Sequence, residues 1–184
     1  MKNLVTVLLA CLFISCSVKT SRDKASPADV AEIRKRLKEQ ATEIAHAVVA
    51  EDFEKVADMT HPNSLKMMGG REEVIALQKK FRKETIASGG KIAIERVEDP
   101  GDVVESHAVL YSYVPVVARI HCQMPKKVML MKSIFIAVSQ DEGKTWKFVD
   151  DSGIPFREIV EQMFPDWPSR LILPPQEAPT TIEK

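Results

Sequence analysis

The spacing of apolar side chains changes once along this chain. Val30, Ile33, Leu37, Ala41, Ile44 and Val48 recur every three or four residues, the period of a helix that buries one face. Ser26-Pro27-Ala28-Asp29 stands before that stripe and supplies a start signal: a capping serine, proline at the first helical position and an acid that closes a capping box. A short second helix is expected over Asp52–Met59, burying Phe53, Val56 and Met59 and ending at Thr60-His61-Pro62. A third begins after Gly69-Gly70, carries Val74, Leu77 and Phe81, and ends at Ser88-Gly89-Gly90, a glycine C-terminal cap. From Lys91 the period becomes two. Strands are expected over Lys91–Glu98, Val103–Cys122, Val128–Ser139 and Thr145–Asp150, with a turn at Asp99-Pro100-Gly101-Asp102 and a bend near Pro115. A last helix follows Gly153, with Phe156, Ile159, Val160 and Met163 on one side. Helices first and strands after predict an α+β class, with N-terminal helices packed on an antiparallel sheet.

The two ends differ from this middle. Leu4–Ile14 is an apolar run behind Lys2, of signal-peptide length and too short to span a bilayer as a helix. It closes on Phe13-Ile14-Ser15-Cys16, which resembles the bacterial lipobox, so Cys16 is the expected lipidation site and an ordinary secretory cut nearby is the alternative. Residues 1–15 are then a signal peptide, 16–27 a polar tether, 28–164 one domain and 165–184 a proline-rich tail. In that tail Trp167, Leu171 and Leu173 are expected to dock, and the stretch from Gln176 to fray. With Cys11 lost and Cys16 lipidated, Cys122 remains unpaired; if Cys16 stays free, a Cys16–Cys122 bridge is the other option.

Charge narrows the classes of function. The chain has 26 basic and 26 acidic residues and a formal net charge of +0, and removing residues 1–15 takes away only Lys2. That balance leaves no footprint for nucleic acid and no basic run for a membrane. His121, Cys122, Met124, Met129 and Met131 are ligand types that Cu(I) prefers. However, adjacent strand residues face opposite ways, and the methionines alternate as core residues do. Gly69-Gly70 lacks the lysine and hydroxyl of a phosphate loop. Neither metal nor cofactor is expected.

A long first helix, a short second one and "HPNSLKMMGGREEVIALQKKF" leading into a sheet together resemble the nuclear transport factor 2-like (cystatin-like, polyketide-cyclase-like) proteins. Gly70-Arg71-Glu72-Glu73-Val74-Ile75 is similar to that family's entry to its third helix, and the resemblance spans roughly residues 28–150. It implies a cone in which helices and a curved sheet of about four to six strands enclose a mostly apolar pocket. It implies no reaction, because the scaffold hosts enzymes, ligand binders and interaction modules.

Within such a pocket, His61, Tyr113 and Asp150 are the candidate catalytic residues, with His61 as a general base near neutral pH. His107 and Tyr111 share strand parity with Tyr113 and are candidates for the lining. Each has a plainer role. Thr60-His61-Pro62 can simply end a helix, strand tyrosines pack, and Asp150-Asp151-Ser152-Gly153 can cap the last helix.

Ser139-Gln140-Asp141-Glu142-Gly143-Lys144-Thr145-Trp146 resembles the Asp-box hairpin of sialidases. One copy in a chain this short excludes a propeller glycosidase. The motif is then a structural turn: Asp141 accepts from turn amides, Gly143 takes a left-handed conformation, and Thr145 starts a strand. Trp146 lies across the hairpin on Ile136 or Val138, and Ser139 closes the preceding strand.

The expected protein is thus an exported, lipid-anchored bacterial envelope protein. It would bind a small apolar ligand or a protein partner without catalysis, and could pair with a second copy through its sheet. The alternative is a small acid–base enzyme of isomerase, cyclase or dehydratase type.

Overall fold

The computed structural model describes residues 26–123, 126–151 and 156–183. The expected signal peptide, Cys16, nearly all of the tether and Met124 lie outside them. Among the described residues four helices come first: α1 (Pro27–Ala50), α2 (Phe53–Met59), α3 (Pro62–Met67) and α4 (Arg71–Ala87). The strands are β1 (Lys91–Val97), β2 (Val104–Ser106), β3 (Val109–Gln123), β4 (Lys126–Ser139) and β5 (Lys147–Asp150); α5 (Phe156–Met163) and β6 (Thr180–Glu183) complete the order. The class is α+β, with N-terminal helices and one antiparallel six-stranded sheet.

The α1 start signal works as its residues dictate. Asp29 N donates to Ser26 Oγ at 3.2 Å and Ser26 N donates to Asp29 Oδ2 at 2.9 Å, so two orphan amides are satisfied reciprocally. Thr60-His61-Pro62 does more than stop α2. Pro62 sits at the first position of a further short helix, with His61 as its N-cap, because a helix start has no use for the amide that proline lacks.

The sheet runs β1-β3-β4-β5, with β2 also on β3 and β6 also on β4. The long β3–β4 hairpin is its spine, paired without a break from Leu110↔Ser139 to Gln123↔Lys126. Each spine strand therefore has two short partners along its outer edge, with a gap between them. Pro115 occupies the gap on β3, where its carbonyl accepts from Glu98 N at 2.9 Å. The donor that proline lacks would face a loop rather than a ladder.

Three expectations change here. The strand foreseen over Val103–Cys122 is broken into β2 and β3 by a two-residue turn at His107-Ala108, both with positive φ (50° and 64°). The fourth strand starts at Lys147, not Thr145. The end of the tail does not fray but forms β6 against Val128–Leu130 of β4.

Side chains alternate across the spine and build a core on each face. On the helix side, Leu37, Ala41 and Ile44 of α1 and Val56 of α2 pack with Val114, Val116, Phe135, Ala137, Trp146 and Phe148. On the other side, Tyr111, Ile134, Ile136, Val138 and Val149 are covered by Val160, Met163, Phe164 and Leu171. The sheet is thus the middle of three layers, and burial of each large apolar side chain contributes about 2 kcal/mol. Among the described residues no helix is long and apolar enough to cross a membrane.

Candidate functional site

His61 lies where the chain passes from α2 to α3 along the outer edge of β5. Its amide donates to Phe148 O at 2.8 Å, and Thr60 bridges Phe148 in parallel, so the backbone there is held by the sheet. The imidazole is 7% exposed and meets the Phe164 ring edge-on, centroids 4.8 Å apart. Nδ1 accepts from Asn63 N at 3.1 Å, which puts the ring proton on Nε2. Burial lowers its pKa to about 4, helped by the positive charge of Lys147. The side chain is therefore neutral at physiological pH. However, the lone pair that a general base needs is the one engaged in capping α3. Asn63 completes the joint, its Nδ2 donating to Met163 O at 2.7 Å and tying α3 to α5.

The other candidates fall into separate surroundings. Tyr111 is buried among Phe164 and Trp167, its ring centroid 5.4 Å from that of Trp167. Burial raises its pKa, as does the nearby carboxylate of Asp166. Tyr113 stands two residues on, on the same face, its ring against Gly101. A Cβ at Gly101 would lie 2.4 Å from Tyr113 Cε1, so only glycine lets the turn close over that ring. His107 does not share their strand parity, because it is a turn residue. It is exposed, with Nδ1 3.2 Å from Ser106 Oγ and 3.6 Å from Asp166 Oδ1.

Asp150 is exposed on β5 opposite Phe135. Its neighbour Asp151 is 4% exposed and fills the gap on the outer edge of β4. Ile134 N donates to Asp151 Oδ1 at 2.8 Å, and Gln176 Nε2 donates to Asp151 O at 3.0 Å. Burial raises the Asp151 pKa more than these donors lower it. The sequence does not separate the two acids, because which of a doublet turns inward depends on the strand's phase. His61, Tyr113 and Asp150 thus occupy a β5-edge joint, the covered sheet face and an exposed strand end.

The 139–146 turn is built almost as its residues predict. Thr145 N and Oγ1 donate to Asp141 Oδ1 and Oδ2 at 2.9 and 2.7 Å. Ser139 Oγ donates to Asp141 Oδ1 at 2.8 Å and accepts from Gly143 N at 2.9 Å. Partial burial pushes the Asp141 carboxyl up, but hydrogen bonds from Thr145, Ser139 and Lys144 bring it down to about 2. Gly143 has φ +81°, and a Cβ there would lie 2.9 Å from Ile33 Cγ2 of α1.

Trp146 departs from expectation. Its ring joins Leu37, Phe135 and Phe148 on the helix side, not Ile136 or Val138 on the other face. The reason is that the loop turns into α1: Gln40 Oε1 accepts from Trp146 N and Gln40 Nε2 donates to Lys144 O, both at 2.9 Å. Gln40 carries no motif signal, and only the docking of the turn reveals its role.

Among the recesses that the described residues line, two open to solvent near the helices and the hairpin end. One, of about 250 Å³, lies between α2 and α4 and is lined by Glu51, Phe53, Lys79, Arg82, Lys83 and Ile86. The other, of about 470 Å³, lies at the α4–β1 turn and the distal end of the β3–β4 hairpin. Neither is lined by His61, Tyr111, Tyr113 or Asp150. Between α1 and the sheet, Leu37, Val114 and Phe148 are at most 1% exposed, so side chains fill the space where the family resemblance implies a pocket. Among the described residues no group of three histidine, cysteine or carboxylate side chains could hold a metal ion. No family model, curated protein or solved structure matches the chain.

Proposed function

We propose that this is an exported protein, anchored to a bacterial envelope through lipid on Cys16, whose nuclear transport factor 2-like domain binds a protein partner without catalysis. The anchor rests on Leu4–Ile14 and the Ser15-Cys16 step. The scaffold rests on the Gly70–Ile75 helix entry and on helices packed against one face of an antiparallel sheet; α5 and the tail lie outside the resemblance.

The observation that carries the binding reading is on α4. Leu77 and Phe81, one helical turn apart, are 54% and 61% exposed, although the same helix buries Val74 and Ile75. Neighbouring large apolar side chains on one helix flank form a contiguous apolar surface, the kind of feature that marks a contact site where isolated exposed residues do not. The packed interior disfavours a small apolar ligand. The opposite sheet face, already covered by Phe164 and Leu171, disfavours pairing of two copies through that face. No observation favours the acid–base enzyme, since its three candidate residues lie in separate surroundings and line neither of the two recesses.

The test is site-directed photo-crosslinking in the host envelope, with the probe at Phe81 and a control at Lys35 on α1. A discrete adduct with one protein from Phe81 alone supports the reading. Equal adducts from both positions, or none, overturn it. Mass spectrometry of the mature N-terminus checks the anchor independently, and an unmodified start at any residue other than Cys16 would sink it.

A further inference from the structure

The balanced composition hides a local concentration of positive charge. The 470 Å³ recess is lined by Gly89, Lys91, His121, Cys122, Gln123, Lys126, Lys127 and Val128; no carboxylate is among them. The register explains how they meet. Lys91 of β1 stands directly opposite His121 of β3, and His121 stands opposite Val128 of β4, so these three share one face of the sheet. Gln123 and Lys126 pair one step further along on that face, and Cys122 and Lys127 pair on the reverse. Gly89 frames the recess from the end of α4. It has φ +72°, and a Cβ there would lie 2.7 Å from Gln123 Cδ, so the absence of a side chain lets Gln123 lie against the turn.

Most arginines on this molecule have carboxylate partners, as do Lys38, Lys55, Lys132 and Lys144. Among the described residues, Lys91, Lys126 and Lys127 have no such partner, as is also true of Lys35, Lys66 and the lysines of α4; what sets this recess apart is that lysines line it and no carboxylate does. Lys91 and Lys126, on the same face at the lip of one recess, repel one another, and a bound anion would relieve that repulsion while accepting their hydrogen bonds.

We propose that this recess is a binding site for a phosphate group. Lys91 and Lys126 would supply charge-assisted donors, Gln123 a neutral amide donor, and Val128 with the lysine stems an apolar wall. The phosphate could belong to a lipid headgroup or be carried by a small soluble molecule; both present the same dianionic or monoanionic oxygens. The site is independent of the α4 contact surface, so failure of either proposal leaves the other standing.

The test uses the full chain in neutral detergent, titrated calorimetrically with inorganic phosphate and, separately, with micelles containing phosphatidylglycerol, at matched ionic strength. The variant Lys91→Gln/Lys126→Gln removes the donors. Lys79→Gln/Lys83→Gln removes equal charge from α4 and is the control. Saturable binding of either ligand by the parent and the control, weakened on the order of tenfold per lysine lost in the first variant, supports the site. Binding of phosphate identifies a soluble ligand, and binding of the micelles alone identifies a headgroup. No saturable binding of either ligand by the parent, or equal weakening in both variants, overturns it. Near-UV circular dichroism confirms that each variant keeps the parent fold.

Discussion

At the scale of single residues, the buried imidazole of His61 sets an acid limit on the fold. Its folded-state pKa of about 4 is below the value near 6.5 of an unfolded histidine. Between these values the unfolded chain binds the extra proton, so stability present above pH 6.5 is lost progressively as pH falls toward 4. The loss expected from His61 alone is on the order of 3 kcal/mol. Asp151 opposes it, because a carboxyl whose pKa is raised in the fold favours the folded state in acid. His61→Asn keeps an N-cap acceptor and removes the titration. Thermal melts from pH 7.5 to 4.5 should therefore show a smaller acid shift for the variant than for the parent; parallel curves would refute the assignment.

Trp146 offers a second residue-scale test. It is 2% exposed, and its indole Nε1 has no hydrogen-bond partner among the described residues. Trp146→Ala should cost about 3–5 kcal/mol through the cavity it leaves. Trp146→Phe should cost less than half of that, since it keeps most of the packing and loses no hydrogen bond. Gly143→Val, which forces a β-branched residue to φ +81° against Ile33, should cost about 2–4 kcal/mol. Urea denaturation measures all three, and melting of Trp146→Phe like Trp146→Ala would mean that the indole N–H matters after all.

At the scale of elements, the β2–β3 turn is the least expected feature and the easiest to improve. His107 and Ala108 both adopt positive φ between Ser106 and Val109, which pair directly. Asn-Gly is the dipeptide that such a turn prefers; histidine tolerates positive φ better than most residues, but Ala108 is not at home there. His107→Asn with Ala108→Gly should stabilise by about 1–2 kcal/mol, at the loss of only exposed contacts to Ser106 and Asp166. An unchanged or lower melting temperature would contradict this account of the turn. The same feature shows where sequence reading stops. Apolar periodicity reveals α1, which buries one continuous face; it marks β1 and β4 by a period of two and finds the stripe of α4, although Leu77 and Phe81 stay exposed. It passes through His107-Ala108 unbroken, because no turn residue marks a reversal imposed by pairing on both sides. The proline at position 62 misleads in the opposite sense, since the residue that ends α2 also begins α3. Among the site candidates, the residues of the 139–146 turn were legible because hydrogen-bonding geometry is local. The surroundings of His61 and Asp151 were not, because Phe164 and Gln176 reach them from more than twenty residues away.

At the scale of the whole molecule, the decisive element is the tail. Its prolines suggest an extended, loosely held end, and Thr180, Thr181 and Ile182 are β-prone without saying against what. The answer lies in the other half of the spine: β5 covers only Phe135–Val138 of the outer edge of β4, which leaves Val128–Ile134 to be satisfied. Asp151 meets Ile134, Gln176 holds Asp151 in place, Lys132 pairs with Glu177 at 2.8 Å, and β6 completes the ladder. Left bare, this edge would join half-buried Met129, Leu130 and Met131 to unpaired backbone groups, the combination that templates strand addition between molecules. Removing residues 174–184 should therefore lower stability by about 2 kcal/mol and convert a monodisperse protein into one that self-associates with rising concentration. Gln176→Ala should reproduce part of the loss, about 1 kcal/mol, whereas Glu177→Ala, which breaks only an exposed ion pair, should change little. Light scattering coupled to size exclusion, with melts of all three variants, separates these outcomes. A truncated chain that matched the parent in both mass and melting temperature would show that β4 needs no cover, and that the tail serves some purpose other than closing the sheet.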